Sequence, residues 1–362
     1  MALTDFHEKP ALVHDYLLVM RGAERTFAEM ADIWPDAPIH TLLYDEQGTR
    51  GRFARRDVRT SQLQHLGVRQ HGFRKLLPLY PTAARHLAVH GDLVVSSSSA
   101  FAHGVRTDPG ASHVCYCHSP FRYAWLEQRR ALEEVPRPMR PALKMALQRH
   151  RRFDRDAVRG LTGLIANGRI TAERIRRFWG RSAPIVHPPV DVDRFQPQAG
   201  EDDLLFVGEV TGHKQVEVAL EAAERSGRRL RVVGEGPDLP RLKQRYERTG
   251  VFLGRVDDAE LARNYATSAA LVVPNVEEFG IAAVEAQAAG TPVIAADAGG
   301  ARETVLPDET GWLVPPGDVD AMASVLSRDL SEFEPHRLAA HARKFSPESF
   351  KERLLDAVDS LV

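Results

Sequence analysis

The sequence predicts an α/β protein made of two doubly wound, parallel-sheet domains. Three observations predict it. The chain has 362 residues, a length that suggests two domains. Short β-branched runs alternate with helical patterns along both halves, the order of a βαβ architecture. Runs such as Leu271 to Pro274 are apolar throughout, as strands of a parallel sheet buried on both faces are. Each half on this reading is Rossmann-like.

Composition narrows the class. A hydrophobic content of 43% and a charged content of 27% suit an ordinary soluble protein. Cys115 and Cys117, the two cysteines, make no disulfide framework and too few ligands for a zinc site, and a reducing cytoplasm fits them. The N-terminus carries Asp5 and Glu8 without a long apolar run, so no signal peptide is expected. No stretch approaches the ~20 apolar residues of a membrane span. The net charge of −1 hides an asymmetry. Residues 1–190 hold 29 Lys and Arg against 18 Asp and Glu, and the rest holds 19 against 31. A basic half suits an anionic partner: a membrane surface, a lipid phosphate, or the acidic half of the same chain. Solvated arginine is the plainer account.

The first half reads as follows. Ala11 to His14 is a strand. Phe27, Met30, Ala31 and Trp34 then recur at helical spacing and face a core. The turn Met20-Arg21-Gly22-Ala23 lies between them and is an amide-lined anion site. Ile39 to Asp45 is a second strand. Arg50 to Leu79 is basic with apolar interruptions, among them Arg55, Arg56, Leu66, Arg69, Phe73, Arg74 and Lys75. It reads as a polar helix pair on the sheet, or as an amphipathic surface for anionic lipid or a lipid-linked acceptor. Asp92 to Ala100 is a strand running into a serine-rich loop. His113 to Pro120 is another, and its carboxyl end carries His118. Ligands of open α/β sheets bind at such ends, so His118 is a site candidate. Cys115 and Cys117 are placed on the same face as His118, as small buried apolar side chains. Residues 129–159, with many arginines and prolines at 136, 138 and 141, read as a mobile basic excursion followed by a helix from Ala142. Gly163 to Asn167 closes the half as a strand, before a helix with Arg174, Arg176 and Arg177.

Val186 to Pro197 has adjacent prolines and reads as a stiff, extended link, with the domain boundary near 190. The second half repeats the alternation: strand Asp203 to Val210, helix Val216 to Arg225, strand and loop Arg229 to Asp238, strand Val251 to Val256. Leu271 to Pro274 is the next strand. Ile281 to Ala289 is Ala-rich and breaker-free, so it is a helix, and Gly290 ends it. Thr291 to Ala296 is a further strand. The helix start at Ile281 presents unpaired amides and the positive end of a dipole at the sheet edge. Glu277 precedes it and Glu285 lies within it. Carboxylates suit sugar hydroxyls and repel phosphate. The pattern therefore suits a ligand with an anionic middle and hydroxylated ends, which is the shape of a nucleotide sugar. Two surface glutamates at an ordinary helix start are the alternative.

Glu277, Phe279, Gly280, Glu285, Ala286, Gly290, Pro292, Val293, Gly299, Gly300 and Glu303 together resemble the signature of the retaining glycosyltransferases of family 4, which have the GT-B fold. The resemblance covers most of the chain and is strongest from 203 to 316. It implies two Rossmann-like domains facing a cleft: an acceptor domain, 1–190, a nucleotide-sugar domain, 191–345, and a closing helix, 346–362, that crosses back to the first domain. It implies that Glu277 approaches the donor sugar, that Glu285 holds the ribose, and that the amides of Phe279-Gly280-Ile281 meet the diphosphate and sugar. His118 resembles the family's donor-sugar histidine. Gly22 lies in the family's first Gly-rich loop, where Ala23 replaces a second glycine. Gly208 and Lys214 match a motif whose cations hold the diphosphate, but Glu209 stands where the family has Arg. Either Glu209 turns away, or Arg255 or His213 compensates. Gly234 belongs to a Gly-x-Gly-Pro loop near the nucleotide, and Gly254, Arg255 and Val256 resemble the segment that meets the base.

The resemblance implies transfer of a sugar from a nucleoside diphosphate sugar to a hydroxyl with retention, and no cofactor or metal. His118, Glu277 and Lys214 carry the catalytic roles. The strings CYCHSPFRYAW, EEFGIAAVEAQAAG and MRGAE resemble bacterial mannosyltransferase-like members, which favours GDP-mannose; UDP and dTDP sugars stay open. A saccharide or lipid-linked acceptor is expected, with peripheral membrane contact through the basic half and no nucleic-acid partner. A dehydrogenase is disfavoured because no Gly-x-Gly-x-x-Gly follows the first strand. A non-catalytic nucleotide-sugar-binding partner of another transferase is the second class, and Glu209 is its support.

Overall fold

A computed structural model of the chain describes residues 9–68, 70, 72–200 and 203–362. Asp5, Glu8 and Arg69 lie outside the described residues. The chain divides into two compact units. One holds the described residues up to His187 together with Phe350–Val362, and the other holds Pro188–Ser349.

The first unit contains strands β1 (Pro10–His14), β2 (Ile39–Thr41), β3 (Val58–Thr60), β4 (Ala88–Val89), β5 (Leu93–Ser98), β6 (Arg106–Thr107), β7 (Ser112–Cys117) and β8 (Gly163–Ala166). Six of them form one sheet in the order β3-β2-β1-β5-β7-β8, with every neighbouring pair parallel. β4 and β6 form a small ribbon apart from it. The strand order reverses between β1 and β5, and such a switch point opens a crevice at the carboxyl edge. The helices are α1 (Gly22–Ile33), α2 (Tyr80–His86), α3 (Arg122–Trp125), α4 (Gln128–Glu133), α5 (Arg140–Arg159) and α6 (Arg169–Trp179). Phe27, Met30 and Trp34 of the α1 segment do pack into the core, with Leu12, Val95 and Tyr116 of the sheet.

Four sequence expectations are corrected here. β2 ends at Thr41, because Leu42 already bonds back to the Asp15 carbonyl and the chain turns. Among the described residues of 50–79 there is no helix pair. They hold β3 and two short 3₁₀ turns, Gln62–Leu66 and Phe73–Leu76, the first closed by Gly67 in the left-handed region. Residues 129–159 are mostly helical, in α4 and α5, and the long helix starts at Arg140 with Pro141 in its first turn. α5 is anchored by a buried carboxylate: Trp125 Nε1 donates to Asp154 Oδ2 at 2.6 Å, and His150 Nε2 lies 2.9 Å from Oδ1. Burial alone would push Asp154 up, but His150 and His103 outweigh it and hold the carboxyl below its ordinary range. Finally, Cys115 and Cys117 do not share a face with His118. Side chains alternate along a strand, so two odd positions oppose an even one. The thiols pack with Val158, Leu164 and Ile175, and the imidazole turns to Ser97.

The second unit contains β9 (Leu204–Val207), β10 (Leu230–Val233), β11 (Gly250–Gly254), β12 (Ala270–Val273), β13 (Val293–Ala296) and β14 (Gly311–Val314). They form one parallel sheet in the order β11-β10-β9-β12-β13-β14, which repeats the first unit's topology. Its switch point lies between β9 and β12. The helices are α7 (Val216–Arg225), α8 (Leu239–Arg245), α9 (Asp258–Ala266), α10 (Ile281–Ala288), α11 (Ala301–Thr304), α12 (Val319–Leu326) and α13 (Pro335–Ala342). α14 (Pro347–Asp359) follows, and from Phe350 on it belongs to the first unit. There Phe350 meets the Tyr116 ring edge-on at 5.8 Å, and Leu354 and Val358 are fully buried. Beyond the helix, Leu361 occupies the space where a side chain at Gly163 would lie.

Candidate functional site

The carboxyl edge of the second sheet is built from glycine backbone. Gly208 follows β9, Gly234 follows β10 and Gly254 ends β11, all at positive φ. Gly208 N donates to the Val233 carbonyl at 3.0 Å and Gly234 N to the Gly254 carbonyl at 2.8 Å. A Cβ at Gly234 would stand 1.8 Å from the Gly208 carbonyl oxygen, so no other residue fits. The three strand ends therefore form a shelf without side chains, suited to close approach of a ligand.

Two sequence candidates meet beside this shelf. Lys214 follows β9 in a 3₁₀ turn, and Glu277 follows β12, the neighbouring strand across the switch point. Lys214 Nζ lies 2.5 Å from Glu277 Oε1, and Asn275 Nδ2 donates to the same oxygen at 2.9 Å. The expected diphosphate cation and the expected sugar carboxylate are thus paired with each other. The turn carrying Glu277 is held by glycine again. Gly300 N donates to the Glu277 carbonyl, and a Cβ at Gly299 or Gly300 would lie 2.2 Å from a carbonyl oxygen of this turn. Phe279 is buried against Phe345 at 5.5 Å. Gly280 at φ +92 is the N-cap of α10, whose cap and first turn carry no side-chain bond and no acidic residue. The amides at Ile281 keep their donor capacity.

Glu285 sits in the same helix but is buried. Arg194 Nη2 donates to its Oε1 at 2.5 Å, and Tyr265 OH donates to its Oε2 at 2.9 Å. Burial and the adjacent carboxylate push the Tyr265 phenol well above its ordinary range, so it stays a donor. Both carboxylate oxygens are already engaged. Glu209 is exposed, as are Arg255 and His213, and His213 Nδ1 is 2.8 Å from Thr211 Oγ1. Val256 is half-buried beside Arg255.

The first unit has its own edge cluster, built from the ends of β1, β5 and β7. His118 Nε2 is 2.8 Å from Ser97 Oγ, and Ser97 Oγ is 3.1 Å from His14 Nδ1. Burial pushes His118 down to about 4. Burial, with His118 nearby, pushes His14 down to about 3. Both rings are therefore neutral near pH 7. Asp15, also buried, accepts from the backbone of Ser99, Phe101 and Ala102 at 2.6–2.7 Å and so fixes the loop after β5. Gly22 is the first residue of α1 rather than part of an open loop. Glu24 Oε2 accepts from Arg21 N at 3.1 Å, so a carboxylate already answers that helix start.

The structure brings Lys214 to Glu277 and lines Gly208, Gly234 and Gly254 along one edge. It places Gly22 and His118 in the other unit. Sequence reading missed Arg194, Tyr265, Asn275, His14, Ser97 and Asp15. Signals existed for three: the polar His14-Asp15 pair ending an apolar strand, and serine within the buried β5. Arg194 is 91 residues from its partner and gave none.

Residues 191–345 match the family model described as glycosyl transferases group 1. A D-inositol 3-phosphate glycosyltransferase of Streptomyces scabiei is 34% identical over 229 residues, 52% of this chain and 51% of that protein. A GDP-mannose-dependent alpha-mannosyltransferase of Mycolicibacterium smegmatis is 37% identical over 172 residues, 43% of each chain. The chain thus spans about half the length of the curated relatives it matches. Among solved structures, Anabaena Alr3699/HepE in complex with UDP aligns with a TM-score of 0.71 at 18% identity, over 97% of this chain and all of that one. The fold is that of the GT-B glycosyltransferases, with a Rossmann-like sheet in each unit.

Proposed function

We propose that this chain, whose residues 191–345 belong to the group 1 glycosyl transferases, moves a sugar from a nucleoside diphosphate sugar to a hydroxyl with retained anomeric configuration. The donor we assign is GDP-mannose, in keeping with the mannosyltransferase among its relatives. The observation that carries the reading is the second unit's edge. A glycine shelf, the amides at the start of α10, Lys214 and two carboxylates lie on segments that follow the strands of one sheet. Each part answers a part of the donor. The shelf admits the nucleotide. Lys214 and the Ile281 amides take the charge of the departing diphosphate. Glu277 and Asn275 hold sugar hydroxyls, and Glu285 holds the ribose. The role we assign to His118, from the family resemblance, is to orient the donor sugar. The leaving phosphate oxygen accepts the acceptor's proton, so no separate base is needed. We assign donor binding to 191–345 and acceptor binding to 1–190, with the segment after 345 closing onto the first domain.

The acceptor we assign is a saccharide or lipid-linked saccharide at an anionic membrane surface. In the first unit the exposed apolar side chains Leu66, Leu79, Met139 and Met145 are interspersed in sequence with Arg74, Lys75, Arg140, Lys144 and Arg149. No helix among the described residues is long and apolar enough to cross a membrane. A second reading, a non-catalytic partner that only binds the nucleotide sugar, draws on Glu209 in place of a cation.

The test is thermal stabilisation with GDP, UDP, dTDP, ADP and NAD at matched concentrations, with turnover of GDP-mannose in parallel. GDP is expected to give the largest shift, and Glu277→Ala to abolish turnover while the shift remains. A shift with UDP or dTDP alone would move the donor assignment. Binding without turnover would favour the non-catalytic partner, and a shift with NAD alone would overturn the transferase reading.

A further inference from the structure

The two helices that flank β8 enclose a cavity at the amino edge of the first sheet, opposite the edge that carries His14 and His118. α5 leads into β8, so its last turn lies at the amino end of that strand. α6 leaves the carboxyl end of β8 and runs back, so Phe178 and Trp179 return to the same amino edge. Arg155, Val158, Arg159, Phe178, Trp179 and Arg181 line a cavity of about 180 Å³ there, far above the ~10–15 Å³ that one water needs.

Every polar side chain on its wall is a donor: three guanidiniums and one indole N–H, with no carboxylate among them. A ligand must bring the acceptors and the negative charge. Arg181 Nη1 donates to the Val158 and Leu161 carbonyls at 3.0 and 3.3 Å, and its Nη2 donates to the Thr162 carbonyl at 3.3 Å. It thereby answers the carbonyl end of α5, whose negative pole would otherwise oppose an anion. Arg155 holds its guanidinium over the Trp125 ring, 5.1 Å from the centroid, and makes no ion pair among the described residues. Stacking occupies the face of a guanidinium and leaves its N–H edge free. The platform is itself fixed, since Trp125 stacks on Phe178 at 5.0 Å and donates to the buried Asp154. Arg159 Nη1 lies 3.4 Å from Asp156 Oδ1, an exposed pair whose carboxylate is shared with Arg85 at 3.2 Å, so the hold on Arg159 is weak. Trp179 Nε1 is buried without a hydrogen-bond partner among the described residues.

We infer that this cavity binds a phosphate group, with Arg155 and Arg159 gripping its oxygens. Donors from two helices and the segment after them suit the three or four oxygens of a tetrahedral oxyanion better than the two coplanar oxygens of a carboxylate. The site belongs to the first unit alone and lies on the opposite edge of its sheet from His14 and His118, so it stands whatever the donor proves to be.

The test is isothermal titration of the full-length protein with inorganic phosphate and with glycerol 3-phosphate at fixed ionic strength. Beside it, flotation is measured with phosphatidylcholine vesicles that carry phosphatidic acid or lack it. Arg155→Gln and Arg159→Gln are each expected to weaken binding about tenfold, the loss of one charged contact. Arg155→Lys is expected to weaken it too, because an ammonium keeps the charge but not the stacked planar fork. Arg152→Gln, which removes an exposed arginine of α5 that does not line the cavity, is expected to bind as the wild type does. Soluble phosphate binding that needs Arg155 and Arg159 supports the inference and identifies a free ligand. Flotation that needs phosphatidic acid and the same arginines, without soluble binding, supports it and identifies a lipid headgroup. Absence of binding in both arms would overturn it. So would binding unaltered in the Arg155→Gln, Arg159→Gln double variant, which would place the anion elsewhere, or an equal loss in Arg152→Gln, which would reduce the effect to net charge.

Discussion

Replacing Glu277 by Gln is expected to tighten the binding of a nucleoside diphosphate while destroying transfer. Lys214 Nζ lies 2.5 Å from Glu277 Oε1, and the two side chains are 24% and 30% exposed. A diphosphate that takes Lys214 must first part this pair. Fully exposed pairs are worth roughly 0.2–1 kcal/mol, and hydrogen bonds to charged groups roughly 1.5–3 kcal/mol. A pair of this intermediate exposure should cost about 1–2 kcal/mol to part. The same substitution removes a carboxylate that repels the incoming phosphate, so both effects have one sign. At 1.4 kcal/mol per tenfold, the gain in affinity is roughly 5- to 30-fold. The assay is isothermal titration with GDP and UDP at fixed salt, in the wild type, Glu277→Gln, Lys214→Met and the double variant. The gain should vanish in the Lys214→Met background, since the cation being freed is then gone. Unchanged or weaker binding in Glu277→Gln would refute the argument. So would a gain that survives without Lys214.

Three further outcomes are expected. Arg194→Met removes the charged donor to the buried Glu285 carboxylate and should cost about 3 kcal/mol in urea unfolding. Gly234→Ala and Gly254→Ala should differ sharply. The first drives a Cβ into the Gly208 carbonyl and should cost more than about 2 kcal/mol; the second has open space and pays only for its left-handed φ, about 1 kcal/mol. The third concerns pH. His113, hydrogen-bonded to Ser96, is pushed down to about 3 by burial and the nearby His103. Its unfolded form binds a proton below about 6.5 that the folded form refuses, so its stability contribution is complete above that pH and is lost as pH falls towards 3. The slope is about 1.4 kcal/mol per pH unit for this one group. Urea unfolding at pH 7.5, 6 and 5 should show His113→Gln flatter by about that amount; an equal slope in both proteins would refute the assignment.

The fold was legible where hydrophobic period alone decides the element. The strands at Ala11, Leu93, Leu204 and Leu271, and the helices at Val216 and Ile281, lie where their apolar runs and glycine stops put them. It was less legible at residues 50–79, where turns and 3₁₀ segments follow local bonds such as Ser61 Oγ to Leu63 N rather than a period. The arginines of 129–159 suggested mobility because what anchors α5, the bond from Trp125 of α3 to Asp154, depends on side chains meeting across helices. The candidate site divides in the same way. Motif residues of the second unit stand out in the sequence because they cluster in short segments. The partners of Glu285 and His118 do not, because the fold brings Arg194, from the irregular segment before β9, to the one, and Ser97 and His14, from neighbouring strands, to the other, across 91, 21 and 104 positions.

The route of the chain has a consequence for how the protein is made. The first unit is left at His187 and completed only from Phe350 onward, where Phe350 closes on Tyr116 and Leu361 fills the space beside Gly163. On the ribosome, therefore, the unit begun first is the one finished last. The intervening residues 188–349 can emerge and fold as a whole while the earlier sheet still lacks the helix that covers Tyr116. A nascent chain in that interval exposes an unfinished apolar face for the time needed to translate about 160 residues, at roughly 5–20 residues per second. At these rates that interval is roughly 8–32 seconds.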